Sequence, residues 1–167
     1  VGAGPTGVEL AGQVAEMAHR SFKGQFKNFV PSQAKIVLID GMPQVLPPFG
    51  KRLGKKAQRE LERKGVTVVL NALVSNVDAG SVTYKDTNSG EETTLRAATK
   101  IWSAGVQASP LGKQIAEQVG VEAERNGKVP VNADLTVGDK DNLFIIGDMM
   151  NRLSLIHISE PTRPERI

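Results

Sequence analysis

The chain has 167 residues, a formal net charge of +3 and no cysteine. This length predicts one domain or slightly more, with enough apolar residues for a hydrophobic core. The lack of cysteine excludes a disulfide scaffold, a thiolate metal site and a redox-active thiol pair within these residues. The charge is too small to indicate nucleic-acid binding by itself, and no apolar run has the length of a membrane span.

The opening of the chain carries three glycines at the spacing G-x-G-x-x-G, namely Gly2, Gly4 and Gly7. In a dinucleotide-binding turn, the first glycine permits a tight turn out of a strand, the second lets the backbone approach a pyrophosphate, and the third lets the next helix pack closely. Pro5 suits the start of that helix, whose free N–H groups would hold the phosphates. The alternative is a strand–helix turn with incidental glycines.

A helix and then an acid-ended strand follow this turn. Apolar and polar residues from Val8 to Met17 alternate as in an amphipathic helix, and residues 35–40 indicate a buried strand that ends at Asp40. A carboxylate there would bind the ribose hydroxyls of an adenosine and repel a 2′-phosphate, so we expect NADH to be preferred over NADPH. An acid that only caps a turn is the alternative.

Glu9 falls in the first helical turn on this prediction. The helix dipole alone would favour an acid there, and the same position would also face a bound dinucleotide. The two interpretations stay open.

Both ends of the chain look incomplete. A single residue precedes the glycine turn and there is no initiator methionine, so we expect a fragment whose first strand lies mostly upstream. Residues 151–167 continue neither the periodicity nor a motif, and they resemble a translated sequencing-adapter read-through. We expect this tail to be non-native, with a native tail as the alternative.

Two segments combine apolar and basic residues. Phe22, Phe26 and Phe29 fall at helical spacing, which indicates a stripe packed against the domain or, alternatively, one that lies on a membrane surface. Residues 51–64 predict a helix with a basic face, which is either solvated or bound to anionic lipid or nucleic acid. The predicted apolar face of that helix comprises Leu53, Ala57 and Leu61.

The remaining segments predict short elements. A strand at 66–70 follows a helix stop at Gly65, and residues 72–96 indicate an antiparallel meander. Residues 99–105 predict an apolar strand, a helix follows at 110–119, and two brief strands flank residues 126–127. The final prediction is a buried strand at 142–148.

Two of these predicted strands end in candidate site residues. At the end of 99–105, the small residues Ala104 and Gly105 would allow a cofactor to approach closely, or would only form a turn. Gly147 and Asp148 end the last strand, where an acid is either a ligand contact or part of a surface turn. His19 is the sole histidine before the suspect tail, and we expect no metal site and no hydrolase triad. Any catalysis would therefore be that of a cofactor.

The motifs G-P-T-G-V-E-L-A-G, V-L-P-P-F, W-S-A-G-V and N-L-F-I-I-G-D-M resemble the flavoproteins with two dinucleotide-binding domains. Within them, the chain is similar over residues 1 to 150 to type II NADH dehydrogenase, the non-proton-pumping NADH:quinone oxidoreductase, and most to the actinobacterial kind. The resemblance implies an α/β fold. Residues 1–105 would be a Rossmann-like NADH-binding domain with a parallel sheet and a β-meander, and residues 106–150 a partial return segment of an FAD-binding domain.

The resemblance also implies site residues for NADH and FAD. The turn and the helix start at Thr6 would hold the NADH pyrophosphate, Asp40 the ribose, and Glu9 would lie near the nicotinamide as the catalytic residue. Gly105 would mark the crossing back to the FAD domain, and Asp148 would bind FAD. The implied cofactor-binding set is Gly2, Gly4, Pro5, Thr6, Gly7, Glu9, Asp40, Ala104, Gly105, Gly147 and Asp148.

The implied reaction is hydride transfer from NADH to flavin, then two-electron reduction of a respiratory-chain quinone. The quinone site and the peripheral attachment to the cytoplasmic face of the bacterial plasma membrane would lie outside this chain, a homodimer is compatible with the resemblance, and nucleic acid is not expected. We expect this chain alone to bind NADH weakly, retain no FAD and lack quinone reductase activity. Alternatives are another flavin reductase of the superfamily, a non-catalytic dinucleotide-binding module, or a lipid- or nucleic-acid-binding module that uses residues 51–64.

Overall fold

The computed structural model describes residues 1–151, and the chain forms two compact units, Val1–Gly105 and Val106–Ile167. The expectation of a non-native tail lies outside the described residues from position 152 onward. No helix within residues 1–151 has the length and apolar character needed to cross a membrane. Each unit has its own hydrophobic core.

Unit 1 begins as an α/β arrangement. Helix α1 (Pro5–Glu16) continues into one π-helical turn (Met17–Ser21), and strand β1 (Ile36–Ile39), helix α2 (Gly50–Arg63) and strand β2 (Val66–Val69) follow. The two strands pair in parallel, with Ile36 opposite Val66 and Ile39 opposite Val69. The predicted α/β class is confirmed, and α2 forms the crossover that two adjacent parallel strands require.

Small residues let α1 approach the sheet. Ala11 and Ala15 are buried on α1, and they pack in one cluster with Leu38 of β1, Leu61 of α2 and Val66 of β2. The removal of these apolar side chains from water is the main stabilisation of this half of unit 1. Its consequence is that the start of α1 is held against the end of β1, where the candidate site lies.

The predicted meander is present as a three-stranded antiparallel sheet, with β3 (Ala72–Val77), β4 (Ser81–Asp86) and β5 (Glu92–Arg96) in that order. Two carboxylates shape its turns. Asp78 accepts the hydroxyl of Ser81 and two backbone N–H groups, and Asp86 accepts the N–H groups of Ser89 and Asn88. These hydrogen bonds lower the pKa of both carboxyl groups, because they stabilise the charged form.

Within residues 106–151, unit 2 contains helix α3 (Pro110–Val119) and four short strands: β6 (Val129–Pro130), β7 (Thr136–Val137), β8 (Lys140–Phe144) and β9 (Met150–Asn151). Strands β7 and β8 are antiparallel, and β6 pairs in parallel with β9. The core of this unit is a single apolar cluster. Its fully buried members are Ala116, Val129, Val137, Ile145 and Met150.

The predicted strand at residues 99–105 is not formed. This segment bonds to Val1, whose α-amino group donates to the carbonyl of Ile101 at 2.7 Å and whose carbonyl accepts the N–H of Ser103 at 2.8 Å. One residue on the opposite side is too short a partner for a ladder. The extended segment therefore remains unassigned, although it lies where the prediction put it.

The phenylalanine segment differs from both parts of its prediction. The π-helical turn ends at Ser21, and Gly24 adopts a left-handed φ of 74°, so the helical spacing is not realised. Phe26 and Phe29 stack on each other with ring centroids 4.4 Å apart, and they remain 42% and 56% exposed. The prediction that the stripe packs against the domain is therefore wrong for Phe26 and Phe29, because both rings remain largely exposed and stack on each other.

The apolar face of α2 is also shifted from its prediction. Leu61 is buried and Ala57 partly buried as predicted, but Leu53 is 52% exposed. Gly54 takes the buried position instead, because a Cβ atom there would lie 2.6 Å from the carbonyl oxygen of Val45. The close approach of that loop turns Leu53 outward.

Unit 2 corrects two further strand predictions. Residues 124–128 form a tight turn, in which Glu124 donates its N–H to Lys128, but only β6 forms beside it, paired with β9. The strand predicted at 142–148 ends at Phe144, and of its apolar residues Ile145 is buried whereas Phe144 and Ile146 are exposed. The prediction of a buried strand there is wrong, because among the described residues 106–151 strand β8 pairs only with the two-residue β7.

Candidate functional site

The glycine turn at the start of unit 1 leaves no room for side chains at its first and third glycines. Gly2 has a φ of 103°, and a Cβ atom there would lie 2.7 Å from the backbone nitrogen of Ala104. A Cβ atom on Gly7 would overlap the carbonyl oxygen of Gly2. Helix α1 therefore packs on the turn at van der Waals distance, as the motif predicts.

Gly4 differs from the other two glycines. Its φ of −71° and ψ of −176° are open to any residue, and no atom lies within 4 Å of the position of a Cβ atom. The folded chain itself therefore does not require glycine at this position. A side chain on Gly4 would fill the open space at the start of α1. A ligand needs that same space to approach the backbone.

The carbonyl oxygens of the turn are all engaged by the protein. Val1 accepts the N–H of Ser103 at 2.8 Å, and the Ser103 hydroxyl lies 2.9 Å from the Val1 oxygen and 3.2 Å from the Gly2 oxygen. The carbonyl of Ala3 accepts the N–H of Leu46 at 2.9 Å. The carbonyl of Gly4 accepts the first helical bond, from Val8, at 3.0 Å.

The N–H groups of the turn divide into two sets. Gly2 donates to the carbonyl of Ile39 at 2.8 Å, and Ala3 donates to the Asp40 carboxylate at 2.5 Å. The N–H groups of Gly4, Thr6 and Gly7 have no acceptor within residues 1–151, and α1 has no side-chain cap. Free amides at the positive end of a helix dipole bind anions, phosphate groups in particular.

Asp40 links the end of β1 to this turn. One carboxylate oxygen accepts the N–H of Ala3, and the other accepts the N–H of Met42 at 2.7 Å. The bond from Met42 caps the turn that follows Asp40, which is the role that the alternative interpretation gave to this acid. A carboxylate has about four acceptor positions, so oxygen lone pairs remain for a ribose hydroxyl.

The charge of Asp40 also acts on the chain terminus. Burial lowers the pKa of the Val1 α-amino group, and the neighbouring Asp40 carboxylate partly opposes that shift.

Glu9 lies outside the contacts of the turn. Because α1 begins at Pro5, Glu9 is the first residue of the second helical turn, and the prediction of a first-turn position is wrong by one residue. Its carboxylate is exposed and accepts a hydrogen bond from the Gln13 amide at 3.4 Å. Its distance from the helix end weakens the dipole explanation for an acid there.

The remaining candidates are divided between the two units. In unit 1, Ala104 contacts Gly2, its carbonyl accepts the Trp102 indole N–H at 2.9 Å, and Gly105 adopts a φ of 67°. In unit 2, Gly147 has a φ of 74° and begins a three-residue 3-10 helix that contains Asp148. Within residues 1–151 the Asp148 carboxylate makes no hydrogen bond to the protein.

Two residues of the site were not identified from the sequence. Leu46 and Ser103 hold the carbonyl side of the turn, and Ser103 lies inside the segment 99–105 that was predicted as a strand. Its partner lies 102 positions away, and no local pattern carries that information. The described part of the chain contains no group of three or more side chains that could hold a metal ion.

Comparison with known proteins gives a consistent assignment. A sequence profile described as pyridine nucleotide-disulphide oxidoreductase matches residues 1–162. Over 151 residues the chain is 51% identical to type II NADH:quinone oxidoreductase NdhA of Mycobacterium tuberculosis, covering 90% of this chain and 32% of that protein. Identity to the type II NADH:quinone oxidoreductase of Staphylococcus aureus is 34%, over 88% of this chain and 34% of that protein. The chain thus spans about a third of the length of the curated relatives that it matches.

Solved structures share this fold. NDH2 from Plasmodium falciparum in complex with NADH superposes with a TM-score of 0.73 and 25% identity, covering 89% of this chain and 30% of that one. The flavoprotein disulfide reductase RclA from Escherichia coli gives a TM-score of 0.62 at 20% identity, covering 95% and 32% respectively. The second similarity supports the fold alone.

Proposed function

The chain belongs to the pyridine nucleotide-disulphide oxidoreductase family, and from this premise we propose that unit 1 binds NADH as part of an FAD-dependent NADH:quinone oxidoreductase. The observation that carries the proposal is the division of polar groups at the glycine turn. The carbonyl oxygens of residues 1–4 are bonded within the chain, whereas the amides of Gly4, Thr6 and Gly7 are left as donors. A diphosphate is an acceptor of matching charge and shape.

The residues of unit 1 bind and orient the dinucleotide in this proposal. Gly4, Pro5 and Thr6 form the phosphate-facing backbone, and Gly2 and Gly7 allow the turn and the helix to meet. Asp40 accepts the adenosine ribose hydroxyls, and its charge favours NADH over NADPH. Glu9 lies near the nicotinamide. Ala104 and Gly105 lie where the chain crosses back to the FAD-binding segment. NADH itself supplies the hydride, while the protein supplies position and access for protons.

The further parts of the proposal concern the whole enzyme. Residues 1–105 are the NADH-binding domain, and residues 106–150 are a partial segment of an FAD-binding domain in which Gly147 and Asp148 contact the flavin cofactor. Such a contact fits both residues. Gly147 has a left-handed φ and leaves open space where a side chain would stand, and the exposed Asp148 offers carboxylate oxygens as acceptors. The names of the relatives support quinone as the electron acceptor. Peripheral attachment to the cytoplasmic face of the membrane is the matching location.

The proposal is tested by calorimetric titration of the 167-residue chain with NADH and with NADPH, using a Gly4→Val variant. Gly4 has allowed dihedral angles and free space at its Cβ position, so the variant folds with an unchanged unfolding transition. We expect the valine side chain to occupy the phosphate position and to reduce NADH affinity at least tenfold. Equal NADH affinity in a folded variant would remove the glycine turn from the site.

A further inference from the structure

Ser103 contacts the glycine turn at its carbonyl oxygens. Its hydroxyl lies 2.9 Å from the Val1 oxygen and 3.2 Å from the Gly2 oxygen, and both contacts are partly buried. The same hydroxyl would lie 2.7 Å from a Cβ atom on Gly7. The Ser103 side chain is therefore wedged between the carbonyl end of the turn and the first turn of α1.

The Gly2 carbonyl oxygen also lies close to Gly7. It lies against the Cα atom of Gly7, because a Cβ atom on Gly7 would overlap it. Without the Ser103 hydroxyl, this oxygen would be an unsatisfied acceptor beside Gly7, whose amide has no acceptor within residues 1–151. A buried carbonyl without a partner is costly, so the chain would shift to give it that amide.

We propose that Ser103 is a positioning residue for pyrophosphate binding, because its hydroxyl proton, shared between the Val1 and Gly2 carbonyl oxygens, gives the Gly2 oxygen a donor and so keeps the first amides of α1 free for the ligand. Ser103 itself is fixed by its own N–H, which donates to Val1 at 2.8 Å. It does not contact the ligand. The inference rests on the proposed function, and it names a residue on which the diphosphate affinity of that site depends.

The effect of Ser103 is confined to the diphosphate part of the ligand. The adenosine part would be recognised at Asp40, whose hydrogen bonds go to Ala3 and Met42 and not to Ser103. A loss of the Ser103 hydroxyl should therefore weaken ADP and NADH more than adenosine. Partial unfolding of the turn would instead weaken all three in the same proportion.

The test measures displacement of NADH by ADP and by adenosine, followed through NADH fluorescence, for the 167-residue chain and its variants Ser103→Ala and Ser103→Thr. We expect the ratio of ADP affinity to adenosine affinity to fall roughly three- to tenfold in Ser103→Ala, the range for one hydrogen bond of ordinary strength. Ser103→Thr keeps the hydroxyl and should restore the ratio. Ser109→Ala, which removes a hydroxyl from unit 2, should leave it unchanged.

The possible failures are distinct. If the unsubstituted chain does not bind NADH at all, the proposed function is wrong, and this inference falls with it. If the chain binds NADH but Ser103→Ala keeps the original ratio, only the positioning by Ser103 is wrong. A ratio that falls equally in Ser103→Thr would also overturn it, because the hydroxyl would then not be the group that matters.

Discussion

Helices α1 and α3 begin alike in the sequence and differently in the structure. Each has proline at its start, after Gly4 in unit 1 and after Ser109 in unit 2. The Ser109 hydroxyl accepts the N–H of Leu111 at 3.3 Å, so the chain caps α3 itself. Gly4 has no side chain, and the first amides of α1 have no acceptor within residues 1–151. The candidate binding site is thus a helix end from which the usual cap has been left out.

The two strand-end acids show the same contrast. Asp40 accepts two backbone N–H groups and joins β1 to the glycine turn. Asp148 follows a strand and a glycine as well, but within residues 1–151 its carboxylate makes no hydrogen bond, and its 3-10 helix has three residues. A carboxylate after a strand therefore does not by itself indicate an NADH site. What distinguishes Asp40 is that a long helix begins beside it with unbonded donors.

The largest effect is expected at the contact between α1 and the turn. Because a Cβ atom on Gly7 would overlap the Gly2 carbonyl oxygen, Gly7→Ala should lower the free energy of unfolding of unit 1 by about 3 kcal/mol or more. Gly12→Ala is the matched control on the same helix, since its Cβ atom would lie 3.6 Å from Leu61. The free energy of unfolding of the Gly12→Ala variant should rise by up to about 1 kcal/mol. Urea unfolding measures both, and equal values would mean that α1 does not pack on the turn.

Placing a cap on α1 should remove the difference between the two helices. Gly4→Asp supplies a side chain that can accept an N–H of the first turn, so stability should rise by a few tenths of a kcal/mol. The same carboxylate would repel a diphosphate and occupy its position, and we expect NADH affinity to fall about a hundredfold, or roughly 2.7 kcal/mol. Thermal unfolding and calorimetry are the measurements. A variant that loses stability and binding together would contradict the idea of an omitted cap.

The contrast between the two acids predicts an intermediate effect. Asp40→Ala removes acceptors from the Ala3 and Met42 N–H groups and a partner from the proposed ribose, so NADH affinity should fall about tenfold, or 1.4 kcal/mol. NADPH affinity should fall less, because the repulsion of the 2′-phosphate is also lost. Asp148→Ala is the control and should leave both affinities of this chain unchanged. Unchanged NADH binding in Asp40→Ala would remove Asp40 from the site.

The cap of α3 predicts a smaller change, confined to stability. Ser109→Ala should cost about 1 kcal/mol, because the Leu111 N–H loses its acceptor. The affinity of the chain for NADH should not change. Hydrogen exchange at the start of α3 would localise the effect, and a change in NADH affinity would show that the two helix ends are not independent.

The smallest effect concerns the far end of α1. The Lys64 ammonium donates to the Glu16 carboxylate at 2.5 Å, and this hydrogen bond, together with the charge of Lys64, lowers the Glu16 pKa from its usual 4.5. A carboxyl group whose pKa is lower in the folded state stabilises the fold at every pH above its pKa in the unfolded chain. This stabilisation is lost as the pH falls through the pKa of the folded state. Glu16→Gln should therefore lose less stability than the unsubstituted chain between pH 6 and pH 3, in denaturant titrations. An identical pH dependence would remove the pair from the stability of unit 1.

The sequence predicts best where the information is local. Helices α1 and α2, strands β1 and β2 and the meander follow from periodicity and turn residues, and Gly2 and Gly7 occupy the positions that their motif requires. Prediction from the sequence fails where contacts between distant residues determine the local structure. Leu53 is turned outward because Gly54 takes the contact with Val45, which no helical pattern reveals. Segment 99–105 is not a strand, because its partner is a single residue.

The hydrogen bond between Ser103 and Val1 joins positions 102 residues apart. During synthesis, the glycines of the turn would leave the ribosome first. Ser103, which bonds to the carbonyl oxygens of that turn, would follow only after the meander had been synthesised. Closure of so long a segment is entropically slow and comes late relative to local structure. The full affinity for the diphosphate would then appear only at the final step of folding of unit 1. Helix content alone would not distinguish a chain that still lacks this hydrogen bond from a completely folded one.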